Sequence, residues 1–389
     1  MSIELNWYLP SHGDGRHLLD SGVNPSRRQA HRDRRSRGPR DNDLDYLVTV
    51  AKAIEYAGFH AVLVPTGSTC HDAWLLAAAL ARHTSTLKFL IAVRPGLALP
   101  ALAAQSVQTL QSITNGRLLL NVVTGGSSAE QRSYGDLLNH DQRYERTDEF
   151  LAVLREVWRG RAHAGPSGGY RHSGEFYQLE GAGLVKPLRT TPTIYFGGSS
   201  APAERVAARH ADVYLQWGEP PSMVRERIER VRDAAAQQGR TLRFGYRVHV
   251  IARDTEDEAW RTAERMLRDV PRETIDNAQR VLAASESVGQ ARMRELHRGR
   301  SVDHVRDLEV SPNLWAGVGL VRGGAGTALV GAYRQVAERI EELHTLGLDS
   351  FILSGYPNLE ESVRFGEEVA PLIRRRAPVG GRQNAAAEV

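Results

Sequence analysis

The feature that most limits the fold of this chain is a repeated alternation of short apolar runs with amphipathic helical stretches. Eight runs are predicted to be strands, at residues 4–10, 61–65, 88–95, 118–124, 193–198, 212–218, 244–253 and 350–355. Each run is almost continuously apolar, as is typical of parallel strands that are buried on both faces. Eight such strands separated by helices predict an α/β protein with a TIM (β/α)8 barrel.

Two connections between the predicted strands are longer than a helix and its loops require. They cover residues 160–192, after strand 4, and residues 270–331, after strand 7, and we interpret both as insertions. The chain has 389 residues, of which 41% are apolar, and this suffices for one large barrel with insertions. We therefore predict a single domain over residues 1–375, followed by a disordered tail at 376–389.

Positive charge is concentrated in one segment, although the formal net charge is only +4. Seven of the fourteen residues at 27–40 are arginines, and they lie between the first predicted strand and the first predicted helix. An arm that binds nucleic acid is one interpretation, but such arms usually lie at a terminus or contain aromatic residues. We favour a solvated loop insertion over residues 21–43 and expect no nucleic-acid partner.

The cysteine and histidine content argues against disulfides and metal sites. Cys70 is the only cysteine, and the fourteen histidines show no His-Glu-x-x-His spacing, so no metal site is expected. The sequence contains no apolar run of about 18 residues, and its first residues lack the basic and apolar regions of a signal peptide. We expect a cytoplasmic protein without a membrane partner.

Polar residues follow the predicted strands at the end of the barrel where the active sites of this fold lie. These candidates are His12, Cys70, Asn121, Thr124, Gly198, Ser199, Ser200, Trp217, Arg247, His249 and Tyr356. Arg247 and His249 are two residues apart and therefore share one face of their strand. The segment at 198–200 either caps the following helix or offers amides and hydroxyls to a phosphate, and both interpretations stay open.

Residues 313–331, at the end of the second insertion, combine one cation with several glycines. Arg322 lies among Gly319, Gly323, Gly324 and Gly326 in an otherwise apolar segment. Glycines let the backbone approach a ligand closely, and a guanidinium offers a planar set of donors for phosphate, sulfonate or carboxylate oxygens. We interpret the segment as a loop that closes over the site as a lid. A glycine-rich turn with a solvated arginine is the alternative.

Several motifs make the chain similar to a known family over nearly its whole length. They are WYLPSHGDG at 7–15, PTGSTCHDAW at 65–74, NVVTG at 121–125, RYE at 143–145, YFGGSS at 195–200, WGEPP at 217–221, RVH at 247–249, the segment at 313–331 and SGYP at 354–357. With these motifs the chain resembles the FMNH2-dependent alkanesulfonate monooxygenases of the bacterial luciferase-like flavin monooxygenase superfamily. Such enzymes take reduced FMN from a separate NAD(P)H-dependent FMN reductase and use O2 to convert a sulfonate to an aldehyde and sulfite.

The resemblance implies roles for the residues that match the family's motifs. The implied flavin contacts are Asn121, Thr124, Tyr144, Gly198, Ser199 and Ser200, with the glycine-serine segment on the phosphate. The implied catalytic residues are His12, Cys70, Trp217, Arg247, His249, Arg322 and Tyr356. We also expect a homo-oligomer, either a dimer or a tetramer.

Two residues depart from the pattern of that family. Asn358 stands where close relatives have a histidine, and Gln216 stands where they tend to have a threonine. Because an asparagine does not titrate, one candidate acid, base or anion contact is missing, and a sulfo-sugar or a sulfone is an alternative substrate. Two other interpretations stay open: hydride transfer with a deazaflavin cofactor, and a non-catalytic protein that binds flavin or nucleic acid.

Overall fold

The computed structural model describes residues 2–20, 40–160, 168–268 and 270–375. Most of the predicted arginine-rich loop, residues 21–39, and the predicted tail at 376–389 lie outside the described residues. Among the helices of the described ranges, none has the length and apolar character needed to cross a membrane.

The strands of the described residues confirm the predicted TIM barrel. In chain order they are β1 (Glu4–Tyr8), β2 (Ala61–Val64), β3 (Lys88–Val93), β4 (Leu118–Val122), β5 (Tyr170–Ser173), β6 (Gln178–Ala182), β7 (Ile194–Gly197), β8 (Val213–Trp217), β9 (Arg243–Arg253), β10 (Glu309–Ser311), β11 (Leu314–Trp315), β12 (Ala328–Ala332) and β13 (Leu348–Ser354). The barrel consists of the parallel strands β1, β2, β3, β4, β7, β8, β9 and β13, each paired with the next. It closes where β13 pairs with β1, with Ser350 opposite Glu4.

Alternate residues of the barrel strands belong to two separate cores. Ala61 and Leu63 of β2 pack with Leu215 of β8 in a small cluster inside the barrel. Val62 and Val64 belong instead to the large core between the strands and the helices. Because both faces are covered, the strands are apolar at nearly every position, and polar side chains collect at the strand ends.

The helices surround the barrel, and side chains cap the first turn of several of them. They are α1 (Leu44–Tyr56), α2 (Ala73–Leu80), α3 (Pro100–Thr114), α4 (Ser128–Ser133), α5 (His140–Arg159), α6 (Ala201–His210), α7 (Pro221–Ala236), α8 (Glu256–Arg268), α9 (Arg272–Ala283), α10 (Val288–His297), α11 (Tyr333–Thr345), α12 (Asn358–Arg364) and α13 (Ala370–Arg375). Asp43 accepts a hydrogen bond from the amide of Tyr46 in α1, at 2.8 Å. Asn139 and Gln142 form a capping box at the start of α5. These caps fix where each connection returns to the barrel.

The insertion after the fourth strand contains the antiparallel hairpin of β5 and β6. Glu149 of α5 accepts hydrogen bonds from the amides of Phe176 and Tyr177, each at 2.9 Å. These bonds hold the turn of the hairpin against α5, on the outside of the barrel.

The insertion after the seventh barrel strand is more ordered than the sequence predicts. We predicted residues 313–331 to be one loop, but they contain β11, a short 3-10 helix (Gly317–Leu320) and the start of β12. Strand β12 pairs in parallel with the outer half of β9, with Ala328 opposite His249. The predicted lid is therefore reduced to residues 321–327, which we call the Arg322 loop. Periodicity does not reveal β12, because its five residues are small and apolar and include a glycine.

The end of the predicted loop insertion at 21–43 is also packed rather than solvated. Arg40 forms a backbone bridge with Asp14 and an ion pair with Glu360. Its guanidinium also donates to the hydroxyl of Tyr46 at 3.1 Å, and Asp43 caps α1. The carboxylate of Glu360, the hydroxyl of Tyr46 and the backbone of Asp14 together explain why Arg40 is held in place, which a count of arginines does not predict.

Candidate active site

Two arginines face one aromatic ring at the carboxyl end of the barrel. The guanidinium carbon of Arg247, on β9, lies 5.0 Å from the ring centre of Tyr8, and that of Arg322 lies 5.9 Å from it. Arg322 also donates a hydrogen bond to the hydroxyl of Tyr356 at 2.5 Å and one to Nε2 of His12 at 2.9 Å. The structure thus brings together four candidates that are far apart in the sequence. We call these four residues and Tyr8 the arginine cluster.

Hydrogen bonds fix the side chains of Arg247 and His249. Nη2 of Arg247 donates to the hydroxyl of Ser354 at 2.8 Å, and that hydroxyl lies 2.7 Å from Nδ1 of His249. Nε2 of His249 lies 3.1 Å from the carbonyl oxygen of Ala325. A carbonyl only accepts, so Nε2 carries the proton and Nδ1 accepts from Ser354. The imidazole also stacks on Tyr356, with ring centres 5.4 Å apart.

Burial and the two arginines set the charge of the site. Burial, followed by the charges of Arg322 and Arg247, lowers the pKa of His12 to about 3. Burial and the same two charges hold the pKa of His249 well below its ordinary value. Burial lowers the pKa of Arg247 only to about 10, so this arginine stays charged at neutral pH. Two guanidiniums beside neutral imidazoles give the site a positive charge that suits an anion.

The neutral state of His12 predicts a loss of stability in acid. Its pKa is about 3 in the folded protein, against an ordinary value of 6.5 in the unfolded chain. As the pH falls below 6.5, the unfolded chain binds a proton that the folded protein does not. The free energy of unfolding should therefore decrease by up to about 1.4 kcal/mol per pH unit. We expect His12→Gln to weaken this dependence when urea unfolding is measured between about pH 7 and 5.

A matched control for this prediction is His83→Gln, since His83 is exposed. This variant should keep the pH dependence of the wild-type protein. If His12→Gln and His83→Gln show the same slope as the wild type, His12 is not held neutral by the fold.

Cys70 lies beside the arginine cluster. Within the described residues, its thiol forms no hydrogen bond to Arg247 or Arg322. Its thiol is half-buried, and burial raises its pKa. The nearby Arg94, at the end of β3, donates to Glu130 at 2.7 Å and is 9% exposed. The sequence shows Arg94 at a strand end, but Cys70 and not Arg94 was predicted as a site residue.

A second group of predicted residues lies on the side of β4 and β7. Asn121 and Thr124 are buried, and the hydroxyl of Thr124 has no hydrogen-bond partner within the described residues. The phenol of Tyr144 faces the hydroxyls of Ser200 and Thr124, and burial raises its pKa. Ser200 also caps α6 by accepting from the amide of Ala203 at 3.3 Å. Capping of the helix is thus present, and it leaves the other helix amides available to an anion.

Close packing leaves a narrow space next to this group. Gly198 has a φ of +150°, and a Cβ there would lie 2.5 Å from that of Ala203 and 3.1 Å from the hydroxyl of Tyr144. A larger residue would therefore block the approach to the start of α6. A Cβ on Gly289 of α10 would lie 3.1 Å from the ring of Trp217. The backbone of α10 therefore covers Trp217 at the rim of the site.

This second group fits the phosphate end of a flavin mononucleotide. A helix N-terminus and several hydroxyls, that of the buried Thr124 among them, are the groups that a phosphate ester binds. Trp217 stands opposite Arg247 in the register between β8 and β9, so it links the second group to the arginine cluster. The structure thus places the two predicted groups side by side at one end of the barrel.

The departures at Asn358 and Gln216 differ in their hydrogen bonding: Asn358 bonds to Asp14, whereas neither polar atom of the Gln216 side chain has a partner within the described residues. The amide nitrogen of the Asn358 side chain donates to Asp14 at 3.2 Å, and its backbone amide donates to the same carboxylate at 2.9 Å. Gln216 is buried, in the register between β8 and β9 opposite Tyr246. Asn358 therefore joins the first loop to α12.

Sequence reasoning missed several residues that complete the site. Tyr8 lies between the two guanidiniums, Ser354 connects Arg247 to His249, and Arg227 donates to Ser199 at 2.5 Å. The inward-facing position of Tyr8 at the end of β1 was a usable signal. No comparable signal marked Arg227, which lies in a helix rich in charged residues.

Several solved structures of other proteins share the fold of this chain. The EDTA monooxygenase from Chelativorans sp. BNC1 is 19% identical, covers 97% of this chain and 94% of its own, and superposes with a TM-score of 0.74. A riboflavin lyase, in a structure with modified FMN and riboflavin, and a long-chain alkane monooxygenase are each 21% identical. Each of these two covers 97% of this chain and 92% of its own, with a TM-score of 0.73.

These solved structures share the fold at low identity, whereas a family model matches the sequence itself. The model of the luciferase-like monooxygenases matches residues 20–350, which include the barrel strands from β2 to β9, the start of β13 and the Arg322 loop. The chain therefore belongs to the luciferase-like monooxygenase family, whose members are flavin-dependent.

Proposed function

We propose that the protein is a two-component FMNH2-dependent monooxygenase that desulfonates an organosulfonate. The observation that carries the proposal is the convergence of Arg247 and Arg322 on the ring of Tyr8. A sulfonate is permanently anionic and presents three acceptor oxygens, so two guanidiniums match its charge and its hydrogen-bonding capacity. The imidazoles of His12 and His249 are neutral, so they bring no negative charge that would oppose the binding of an anion.

O2 is the oxidant of this reaction, and reduced FMN would supply the two electrons that convert its second oxygen atom to water. An organosulfonate, reduced FMN and O2 give an aldehyde, sulfite, oxidised FMN and water, so that the carbon–sulfur bond breaks and one oxygen atom enters the aldehyde. In the proposal, Asn121, Thr124, Tyr144, Gly198, Ser199 and Ser200 contact the flavin, with its phosphate at the start of α6. The other predicted residues, Cys70 and Trp217 among them, border the reacting end.

The residues of the arginine cluster would bind the sulfonate, orient the side chains and donate a proton. Arg247 and Arg322 bind the sulfonate oxygens, and His12 orients Arg322 by accepting its hydrogen bond. Tyr356 accepts a hydrogen bond from Arg322, which leaves its own proton available to a reacting oxygen. The Arg322 loop covers the site and excludes water, which strengthens each charged hydrogen bond within it.

The proposed reaction requires a second protein that supplies the reduced flavin. A separate NAD(P)H-dependent FMN reductase would supply the reduced flavin, and the protein would act in the cytoplasm as a dimer or a tetramer. Simple alkanesulfonates are the leading substrates, with sulfo-sugars and sulfones as the alternatives raised by Asn358.

We expect sulfite release when the protein is supplied with FMN, NAD(P)H, a generic flavin reductase, O2 and a panel of alkyl, aryl and sugar sulfonates. Sulfite is measured with a thiol-exchange dye, and the controls omit O2, the reductase or the protein. Binding of reduced FMN without sulfite from any sulfonate would contradict the substrate class. Binding of a deazaflavin, with hydride transfer that does not depend on O2, would contradict the monooxygenase itself.

A further inference from the structure

A buried cluster of charges lies directly behind the proposed phosphate position. Arg227 of α7 is 2% exposed, and its Nη1 donates to the hydroxyl of Ser199 at 2.5 Å. Its Nη2 lies 3.2 Å from Glu219, a buried carboxylate in the loop after β8. Glu219 also accepts from Nε and Nη2 of Arg292 on α10, at 2.7 and 3.0 Å.

The two arginines of this cluster are not equally compensated. Both share the carboxylate of Glu219, but Arg292 is 31% exposed and also lies near Glu226, whereas Arg227 is 2% exposed. Withdrawing a charge from water is costly unless an opposite charge or further hydrogen bonds compensate for it. Nε of Arg227 is buried without a hydrogen-bond partner within the described residues. Arg227 is therefore a buried cation that shares its carboxylate and still has one donor to offer.

The surroundings of Arg227 point to a phosphate as the compensating anion. Its one hydroxyl contact, Ser199, is adjacent to Ser200, which caps the ten-residue helix α6. The hydroxyl of Tyr214 donates to the carbonyl of Gly198, so that this oxygen is already engaged. The hydroxyl of Ser199 accepts from Arg227 and keeps its own proton to donate to an anion.

Resting on the proposed flavin function, we propose that Arg227 is the cation that recognises the phosphate of the flavin, with Glu219 as its positioning residue. The guanidinium lies behind Ser199 and contributes a buried positive charge to a site otherwise built from neutral donors. Glu219 holds the side chain in place but is itself shared with Arg292, so it does not cancel both charges. The consequence is selectivity for FMN over riboflavin, which differ only in the phosphate.

The test compares the binding of reduced FMN and reduced riboflavin in anaerobic titrations. The wild-type protein should bind FMN more tightly, and Arg227→Met should lose about 10- to 150-fold of that preference, as expected for a charge-assisted hydrogen bond. Riboflavin binding should change little. Arg227→Met leaves Glu219 paired with Arg292, so no buried carboxylate is left without a partner. Arg227→Lys should keep part of the preference.

Two further measurements distinguish a failure of the proposed function from a failure of the assignment of Arg227. Arg225→Met alters an exposed arginine of the same helix and should keep the wild-type preference. Inorganic phosphate alone should raise the melting temperature of the wild-type protein and not that of Arg227→Met. If the wild type binds neither flavin, the proposed function fails. If the wild type prefers FMN and Arg227→Met and Arg227→Lys keep the full preference, the assignment of Arg227 is wrong.

Discussion

Replacing Arg322 by alanine is expected to lower kcat/KM for the organosulfonate by about 10- to 150-fold, the value of one charged hydrogen bond of roughly 1.5–3 kcal/mol. Arg247→Ala should have an effect of the same size, because both guanidiniums face the same ring. Arg322→Lys should recover only part of the activity, since an ammonium group lacks the planar arrangement of donors. Rates of sulfite release at several sulfonate concentrations measure these effects.

Arg298→Ala is the matched control for these variants. Arg298 follows α10 in the same insertion but is exposed, and its ion pair with Glu295 is a surface pair. It should retain the wild-type kcat/KM. Each variant should also unfold near the wild-type temperature, so that the loss reflects the site and not the fold. Near-normal turnover in both alanine variants would show that the substrate anion binds elsewhere.

Glu361→Ala is expected to reduce the free energy of unfolding by about 3–5 kcal/mol, the cost of leaving a buried charge without its partner. The carboxylate of Glu361 accepts two hydrogen bonds from Arg253, each at 2.9 Å. Their side chains are only 5% and 9% exposed. This pair joins the end of β9 to α12, immediately after the Tyr356 segment. Denaturant unfolding followed by circular dichroism measures the loss.

A double variant and a surface variant serve as controls for the predicted loss of stability. The double variant Arg253→Met with Glu361→Leu should recover most of the loss, because it removes both buried charges. Glu367→Ala breaks an exposed contact with Tyr56 and should cost less than about 1 kcal/mol. A Glu361→Ala variant as stable as Glu367→Ala would contradict the assigned role of the buried pair.

The barrel could be predicted from the sequence because its strands are buried on both faces. The third strand, predicted at 88–95, is observed as Lys88–Val93, and the fourth, predicted at 118–124, is observed as Leu118–Val122. The errors lie at the strand ends, where the polar residues of the rim begin. Strand β12 was not predicted, because its stability comes from pairing with β9 and not from its own residues.

The site could be predicted in part, and the limit has a physical cause. Alternation along a strand correctly predicts that Arg247 and His249 share a face, and Ser354 contacts both. The contact between Arg322 and His12 joins residues 310 positions apart, and only the pairing of β12 decides where that loop lies. Arg227 shares its helix with several exposed arginines, so composition alone does not distinguish the one that is buried.

Strand β9 is long enough to pair with β8 along its first half and with β12 along its second half, and this limits where the following segment can change in length. Strand β12 comes directly after the Arg322 loop. A shift of one residue in the second pairing would displace the attached loop by about 3.3 Å and reverse the faces of β12. We therefore expect insertions and deletions to be tolerated better at residues 298–304, most of which are exposed, than between Arg322 and Ala328. A change of length at 298–304 leaves the pairing of β12, and with it the spacing of the two guanidiniums, unaltered.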